Sequence, residues 1–193
     1  SGIDDLWLDA LPRAEYQLGS DTLQFLFVGR WDRLKGLPEL YEVLRKRVDL
    51  PLKLTIVGPI PKDKRIPDDR ITYLGPIHNS DKLKKVYDNH DVLLCPSISE
   101  GMPNVIMEAM ARGLAIIATN VGATAELVDE DVGWLIPPKN PLELEKTLSK
   151  ALNSTDVGVK GNRAIEKMRL HFNWDSIADK FIEWYQHAIT DDL

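Results

Sequence analysis

Two glutamates, Glu100 and Glu108, stand with seven residues between them in Ser99-Glu100-Gly101-Met102-Pro103-Asn104-Val105-Ile106-Met107-Glu108. A carboxylate accepts hydrogen bonds on both oxygens, which suits the vicinal hydroxyls of a ribose or hexose and makes it a poor partner for phosphate. The cations that could hold a phosphate lie upstream, where Arg30 and Lys35 follow the apolar run Gln24 to Val28 and its closing Gly29. Taken alone, each pair has a plainer reading. Glu100 could cap a helix while Glu108 sits on a solvated face, and Arg30 and Lys35 could be a solvated surface pair.

The elements around these residues give them their direction. Asp91 to Pro96 is an apolar run ended by proline, as expected for a strand buried on both faces of a parallel sheet. Pro103 fits the first turn of a helix carried by Val105 to Arg112, because a missing N–H costs nothing there. A helix that starts at the end of a parallel strand points free N–H groups and the positive end of its dipole above the sheet, where a diphosphate could sit. Helical side chains lean toward the N-terminus, so Glu108 is expected to return its carboxylate to the region that Glu100 faces from the loop. Upstream, Lys35-Gly36 leads into Leu37, Leu40, Tyr41, Leu44 and Val48, one helical apolar stripe. Arg30 and Lys35 thereby flank a strand-loop-helix turn, the place where an open α/β sheet binds anions. Neither G-x-G-x-x-G nor a Gly-Lys-Ser/Thr loop is present.

Further strands are expected at Leu52 to Val57, Ile71 to Leu74, Ala115 to Thr119 and Gly133 to Pro138. Helices are expected at Asp81 to Asn89, with Leu83, Val86 and Tyr87 inward, at Pro141 to Leu152 and at Arg163 to Leu170, with 153–162 as a loop. The last helix, Trp174 to Ile189, carries two apolar stripes, Ile177/Phe181/Trp184/Ala188 and Trp174/Ala178/Ile182/Tyr185/Ile189, and wants two neighbours. Strand and helix alternate throughout, which predicts an α/β fold: a doubly wound, Rossmann-like parallel sheet of about six strands.

Composition bounds the function. The 193 residues, 44% of them hydrophobic, suffice for one full core. A net charge of -6 argues against non-specific binding to nucleic acid or an anionic membrane. The one cysteine, Cys95, excludes an internal disulfide and fits a reducing compartment. His78, His90, His171 and His187 show no metal-ligand spacing with it, and Asp129-Glu130-Asp131 reads as a solvated turn, so no bound metal is expected. No run approaches the length of a membrane span, and no signal peptide is visible.

Glu100-Gly101-Met102-Pro103-Asn104-Val105 through Glu108-Ala109-Met110-Ala111, then Gly113 and Ala115 to Thr119, resembles the signature of the retaining GT-B glycosyltransferases of family 4 (glycosyl transferases group 1). Phe27-Val28-Gly29-Arg30 with Lys35-Gly36 is similar to the same family's strand-end V-G-R and K-G motif, in family order. Ser1-Gly2-Ile3-Asp4 resembles the N-G-[IV]-D at which the family's chain passes from its N-terminal to its C-terminal domain, although Ser1-Gly2 fits equally a pair appended to the natural chain.

The resemblance implies an interdomain linker over 1–22, a nucleotide-sugar-binding domain over 23–173, and a crossover helix and tail over 174–193 that returns to an N-terminal acceptor domain outside this chain. It implies transfer of a sugar, of the hexosyl class, from a UDP- or GDP-type nucleotide sugar, with retention at the anomeric carbon and no cofactor. Arg30 and Lys35 would hold the diphosphate, Glu108 the ribose hydroxyls, and Glu100 the transferred sugar. Gly29, Leu74, Gly75, Gly101, Met102, Pro103, Asn104 and Val105 would complete the donor site, with the base bordered by backbone near Leu74-Gly75. Ala123 departs from the family's second glycine in Asn120 to Glu126, adding a methyl group near the donor, and Glu126 is either the family's loop glutamate or a helix-start carboxylate. The resemblance places the whole protein in the cytoplasm or at the inner face of a membrane, any membrane contact being made by the other domain. A non-catalytic nucleotide-sugar-binding subunit, or an epimerase or phosphorylase on the same architecture, fits the same residues.

Overall fold

The computed structural model describes residues 2–12 and 22–190, and the side chains of 187–190 lie outside that description. Six strands, β1 (Gln24–Val28), β2 (Lys53–Val57), β3 (Ile71–Gly75), β4 (Val92–Cys95), β5 (Ala115–Thr119) and β6 (Gly133–Ile136), form one sheet in the order β3-β2-β1-β4-β5-β6. Every neighbouring pair is parallel. The order reverses between β1 and β4, where only Phe25 with Val92 and Leu26 with Leu93 are in register.

Side chains alternate across each strand, so the sheet has two apolar faces. Phe25, Phe27, Leu54, Ile56, Leu94 and Ile117 face the layer of α1 (Leu37–Lys46) and α5 (Pro141–Leu152). Leu26, Leu93, Ile116 and Ala118 face α2 (Ser80–Asp88), α3 (Asn104–Ala111) and α6 (Val157–His171). β4 and β5 are buried at every position, as continuous apolar runs between two helical layers must be. A four-residue α4 (Thr124–Leu127) follows β5.

Three expectations need correction. The helix α6 begins at Val157 and takes in Gly158 and Gly161, which had suggested a loop. Gly161 is there because the helix crosses the α3–β5 connection at backbone contact: a Cβ would stand 2.1 Å from the Gly113 carbonyl oxygen. Val48 is not on the α1 stripe, since the helix ends at Lys46 and Val48 is exposed. Pro103 is the N-cap of α3 rather than part of its first turn, and Asn104 is the first helical residue.

Residues 2–12 dock on the α3/α6 side. Ile3 is buried, donates its N–H to the Phe172 carbonyl at 2.8 Å and bridges Asn173 in parallel. Arg112 donates to Asp88 at 2.8 and 3.0 Å, to the Trp7 carbonyl, and to Asp9. Arg169 donates to the carbonyls of Leu8 and Ala10 at 2.9 and 2.7 Å. Of the linker read over 1–22, Ser1 and residues 13–21, with Leu18-Gly19-Ser20-Asp21, lie outside the described residues. The helix α7 (Trp174–Thr190) leaves Trp174, Phe181, Ile182, Trp184 and Tyr185 more than half exposed; its first turn, through Trp174 and Ile177, meets Gly2, and the stripes are open from Phe181 to Tyr185. Ala188 and Ile189 lie beyond the described side chains. Among the described residues no helix is long and apolar enough to cross a membrane.

Candidate functional site

The site is assembled by three loops at the carboxyl edge of β1, β4 and β5. After β1, Asp32 caps a single turn over Arg33–Lys35 by accepting from the Leu34 N–H at 2.9 Å. The turn ends at Gly36 with φ 69°, and a Cβ there would lie 1.8 Å from the Pro96 carbonyl oxygen. The Ile98 N–H donates to the Leu34 carbonyl at 2.7 Å, tying the same loops a second time. Lys35 is thus carried directly onto the loop after β4.

There its ammonium donates to Oε1 of Glu100 at 2.7 Å. The same oxygen accepts from the Ser97 hydroxyl at 2.7 Å. Ser97 is buried, and its own carbonyl accepts from the Thr119 hydroxyl on β5. Two donors on Oε1 leave the second carboxylate oxygen available to a ligand. Glu100 therefore does not cap α3, whose cap residue Pro103 has no side-chain hydrogen bond. The loop after β5 backs this arrangement. Gly122, with φ 54°, would put a Cβ 2.0 Å from the Glu100 carbonyl oxygen, and the Ala123 N–H donates to the Gly101 carbonyl at 2.9 Å. The departure at Ala123 leaves the tight approach to Gly122, while Glu126 is exposed.

The start of α3 stands beside Glu100, with Gly101 exposed, Met102 and Val105 half-buried, and Asn104 exposed. Glu108 lies one turn into the helix, and its Oε2 accepts from the hydroxyl of Tyr87 on α2 at 2.8 Å. Burial pushes the Glu108 carboxyl above its ordinary range, and the Tyr87 hydrogen bond works against that. Arg30 is turned toward Asp32, donating through Nε and Nη2 at 3.1 and 2.9 Å, with its side chain 70% exposed. The structure brings Lys35 and Glu100 together, and it does not bring Arg30 onto either of them. Gly29 is held by its N–H to the Val57 carbonyl at 2.9 Å, with Gly58 packed against its carbonyl. Leu74, half exposed, and Gly75, with φ 73°, end β3, two strands from β1 and so roughly 10 Å sideways at ordinary strand spacing.

Three contributors escape sequence reasoning: Ser97 on Glu100, Tyr87 on Glu108, and Asp32 on both Arg30 and the Lys35 turn. Tyr87 reads as an inward residue, but its partner is 21 positions away. Only the short distance of Ser97 from Glu100 along the chain offers a signal. Burial pushes the Cys95 thiol up to about 11, so it is an inert neighbour of Ser97. Among the described residues no three His, Cys, Asp or Glu side chains converge as metal ligands.

The family described as Glycosyl transferases group 1 matches residues 22–154. D-inositol 3-phosphate glycosyltransferase of Mycobacteroides abscessus is 30% identical over 195 residues, covering 94% of this chain and 43% of the relative. Among solved structures, sucrose-phosphate synthase of Thermosynechococcus elongatus superposes with a TM-score of 0.73 at 27% identity, covering 90% of this chain and 47% of that one. Anabaena Alr3699/HepE, solved in complex with UDP-glucose, shares the fold with a TM-score of 0.72 at 20% identity, covering 87% of this chain and 50% of its own. The chain spans about half the length of the curated relatives it matches. With a matched stretch that takes in all six strands and the three loops of the site, the chain belongs to the glycosyl transferases group 1 family and forms a C-terminal, Rossmann-like domain of it.

Proposed function

We propose that this chain is the donor-binding half of a retaining family 4 glycosyltransferase, moving a hexosyl group from a nucleotide-diphosphate sugar to an acceptor held by another domain. The observation that carries the reading is the meeting of Lys35 with Glu100 at 2.7 Å, over the point where the strand order reverses and beside the start of α3. Ligands of open α/β sheets bind in that crevice. One cation for a diphosphate and one carboxylate for sugar hydroxyls are held there in contact, so an arriving diphosphate competes for the Lys35 ammonium and frees Glu100 to turn to the sugar.

In this reading Lys35 and Arg30 stabilise the charge that grows on the departing diphosphate, with the N–H groups of Asn104 and Val105 assisting, which is electrostatic stabilisation of a leaving group. Glu108 accepts from the ribose hydroxyls. Leu74 and Gly75 border the base, Gly29 completes the donor site at the end of β1, and Gly101, Met102 and Pro103 shape the cradle between sugar and phosphate. The HepE complex with UDP-glucose supports testing uridine donors first, with guanosine donors as the runner-up.

Calorimetric titration of the chain with UDP, GDP, ADP and their hexose conjugates tests the proposal. Saturable binding of one base's diphosphate and sugar conjugate is expected, without sugar transfer by this chain alone, since the acceptor wall belongs elsewhere. Absence of binding to every member of the panel refutes it.

A further inference from the structure

We propose that Tyr87 is the positioning residue that aims the Glu108 carboxylate at the ribose hydroxyls. The inference rests on the reading of Glu108 as the ribose-binding residue.

Glu108 is a long side chain near the middle of the eight-residue α3, and three rotatable bonds separate its carboxylate from the helix. The Tyr87 hydroxyl meets Oε2 at 2.8 Å from a different element, α2, and leaves Oε1 uncommitted to it. Tyr87 itself is fully buried, packed with Leu26, Leu93 and Ile106, and closed on its edge by the Trp7 indole at 5.7 Å between centroids and 78° between planes. Trp7 belongs to the segment that Arg112 and Arg169 bind, so the clamp is backed from outside the sheet. A phenylalanine would fill the same space, and the hydroxyl adds a donor at a fixed point beside a half-buried carboxylate.

The hydrogen bond also bears on charge. Burial and the neighbouring Glu108 charge push Tyr87 well above its ordinary value, so it keeps its proton and remains a donor. Burial pushes Glu108 up, and Tyr87 opposes that shift. Among the ionisable groups nearby, the Lys84 ammonium lies over the Trp7 ring, 5.9 Å from its centroid. The Cys95 thiol at the end of β4 acts on Tyr87 and is itself held neutral by burial, and Arg112, one turn beyond Glu108, is bound to Asp88 and Asp9. Removing the Tyr87 hydroxyl therefore leaves Glu108 both less aimed and more easily protonated.

The test compares the native chain with Tyr87→Phe and Glu108→Gln. Affinity is measured from pH 5 to 8 for whichever of UDP and GDP the native chain binds more tightly, and for the 2′,3′-dideoxy form of that nucleotide. Tyr87→Phe is expected to weaken the ribose nucleotide about tenfold, the worth of one hydrogen bond to a charged group. It should leave the dideoxy nucleotide at native affinity. The loss of ribose-dependent affinity toward acid pH should also begin at a higher pH than in the native chain, because the variant's Glu108 takes up its proton sooner. The nucleotide's own phosphate titrates with both ligands and cancels between them. Equal losses for the two nucleotides, or an unmoved acid limb, overturn the positioning role. A Glu108→Gln variant that binds the ribose nucleotide normally, or a native chain that binds neither UDP nor GDP, overturns the underlying reading instead. A weakened Glu108→Gln beside a native-like Tyr87→Phe overturns the positioning role alone.

Discussion

Substitution of Gly36 by alanine isolates the contact that builds the site, because Gly75 provides a matched control. Both glycines are left-handed, at φ 69° and 73°. A Cβ at Gly75 would meet nothing within 4 Å, whereas one at Gly36 would stand 1.8 Å from the Pro96 carbonyl oxygen, where ordinary contact begins at 3.4 Å. Gly75→Ala therefore costs only the left-handed backbone penalty of about 1–2 kcal/mol. Gly36→Ala adds a separation of more than an ångström between two backbones, which breaks the 2.7 Å bond from the Ile98 N–H to Leu34 and draws Lys35 from Glu100. At about 1 kcal/mol for each hydrogen bond lost, with part of the strain retained, the total reaches about 3–5 kcal/mol, a large fraction of the roughly 5–15 kcal/mol by which domains are stable. Urea unfolding of both variants measures the difference, and nucleotide titration of Gly36→Ala reports the site. Equal midpoints for the two alanine variants would refute the argument that backbone contact, rather than φ alone, selects glycine at position 36.

Arg30→Ala and Lys35→Ala should each weaken nucleoside diphosphate binding about ten- to a hundredfold while leaving the nucleoside unaffected; equal losses on both ligands in a titration would point to damaged folding. Glu108→Gln should weaken the free nucleoside diphosphate and the nucleotide sugar alike, whereas Glu100→Gln should spare the former and weaken the latter, as calorimetry with both ligands would report. Glu108→Gln should also raise the thermal midpoint at neutral pH. A carboxyl whose folded pKa lies above its unfolded value costs stability once pH has risen through both, so its neutral isostere removes that cost and the gain vanishes in acid. The exposed Trp174, Phe181, Ile182, Trp184 and Tyr185 of α7 should make the isolated chain self-associate, with sedimentation rising with concentration and Phe181→Glu abolishing the rise.

What was legible in the sequence follows from where the forces are local. Strands β1 and β5 and helix α5 have the bounds expected from their apolar runs and caps, because each satisfies its own pattern before any partner is considered. The first turns of α6 were illegible because Gly161 answers to Gly113, not to its own helix. Within the site, motif order identified the loops that converge on the β1/β4 reversal. It could not show that Lys35 and Ser97 would share one oxygen of Glu100, since that depends on how three backbones stack. The docking of residues 2–12 was equally hidden: Arg112 finds Asp9 across 103 positions, and neither residue carries a local signal for the other.

The reversal of strand order between β1 and β4 has a kinetic consequence. The bonds between these strands, among them those from the Gln24 N–H to the Asp91 carboxylate and from the Asp91 N–H to the Gln24 carbonyl, span 67 positions, whereas β1–β2 and β4–β5 pair across far shorter connections. Loop closure is the entropic barrier to such pairing, so the two βαβ halves are expected to condense first and to meet along this seam last. Lys35 comes from one half and Glu100 from the other, so a nucleotide sugar that needs both finds only part of its site until the seam has closed. Such a ligand is gripped in full only by the native state, so it acts chiefly as a brake on unfolding.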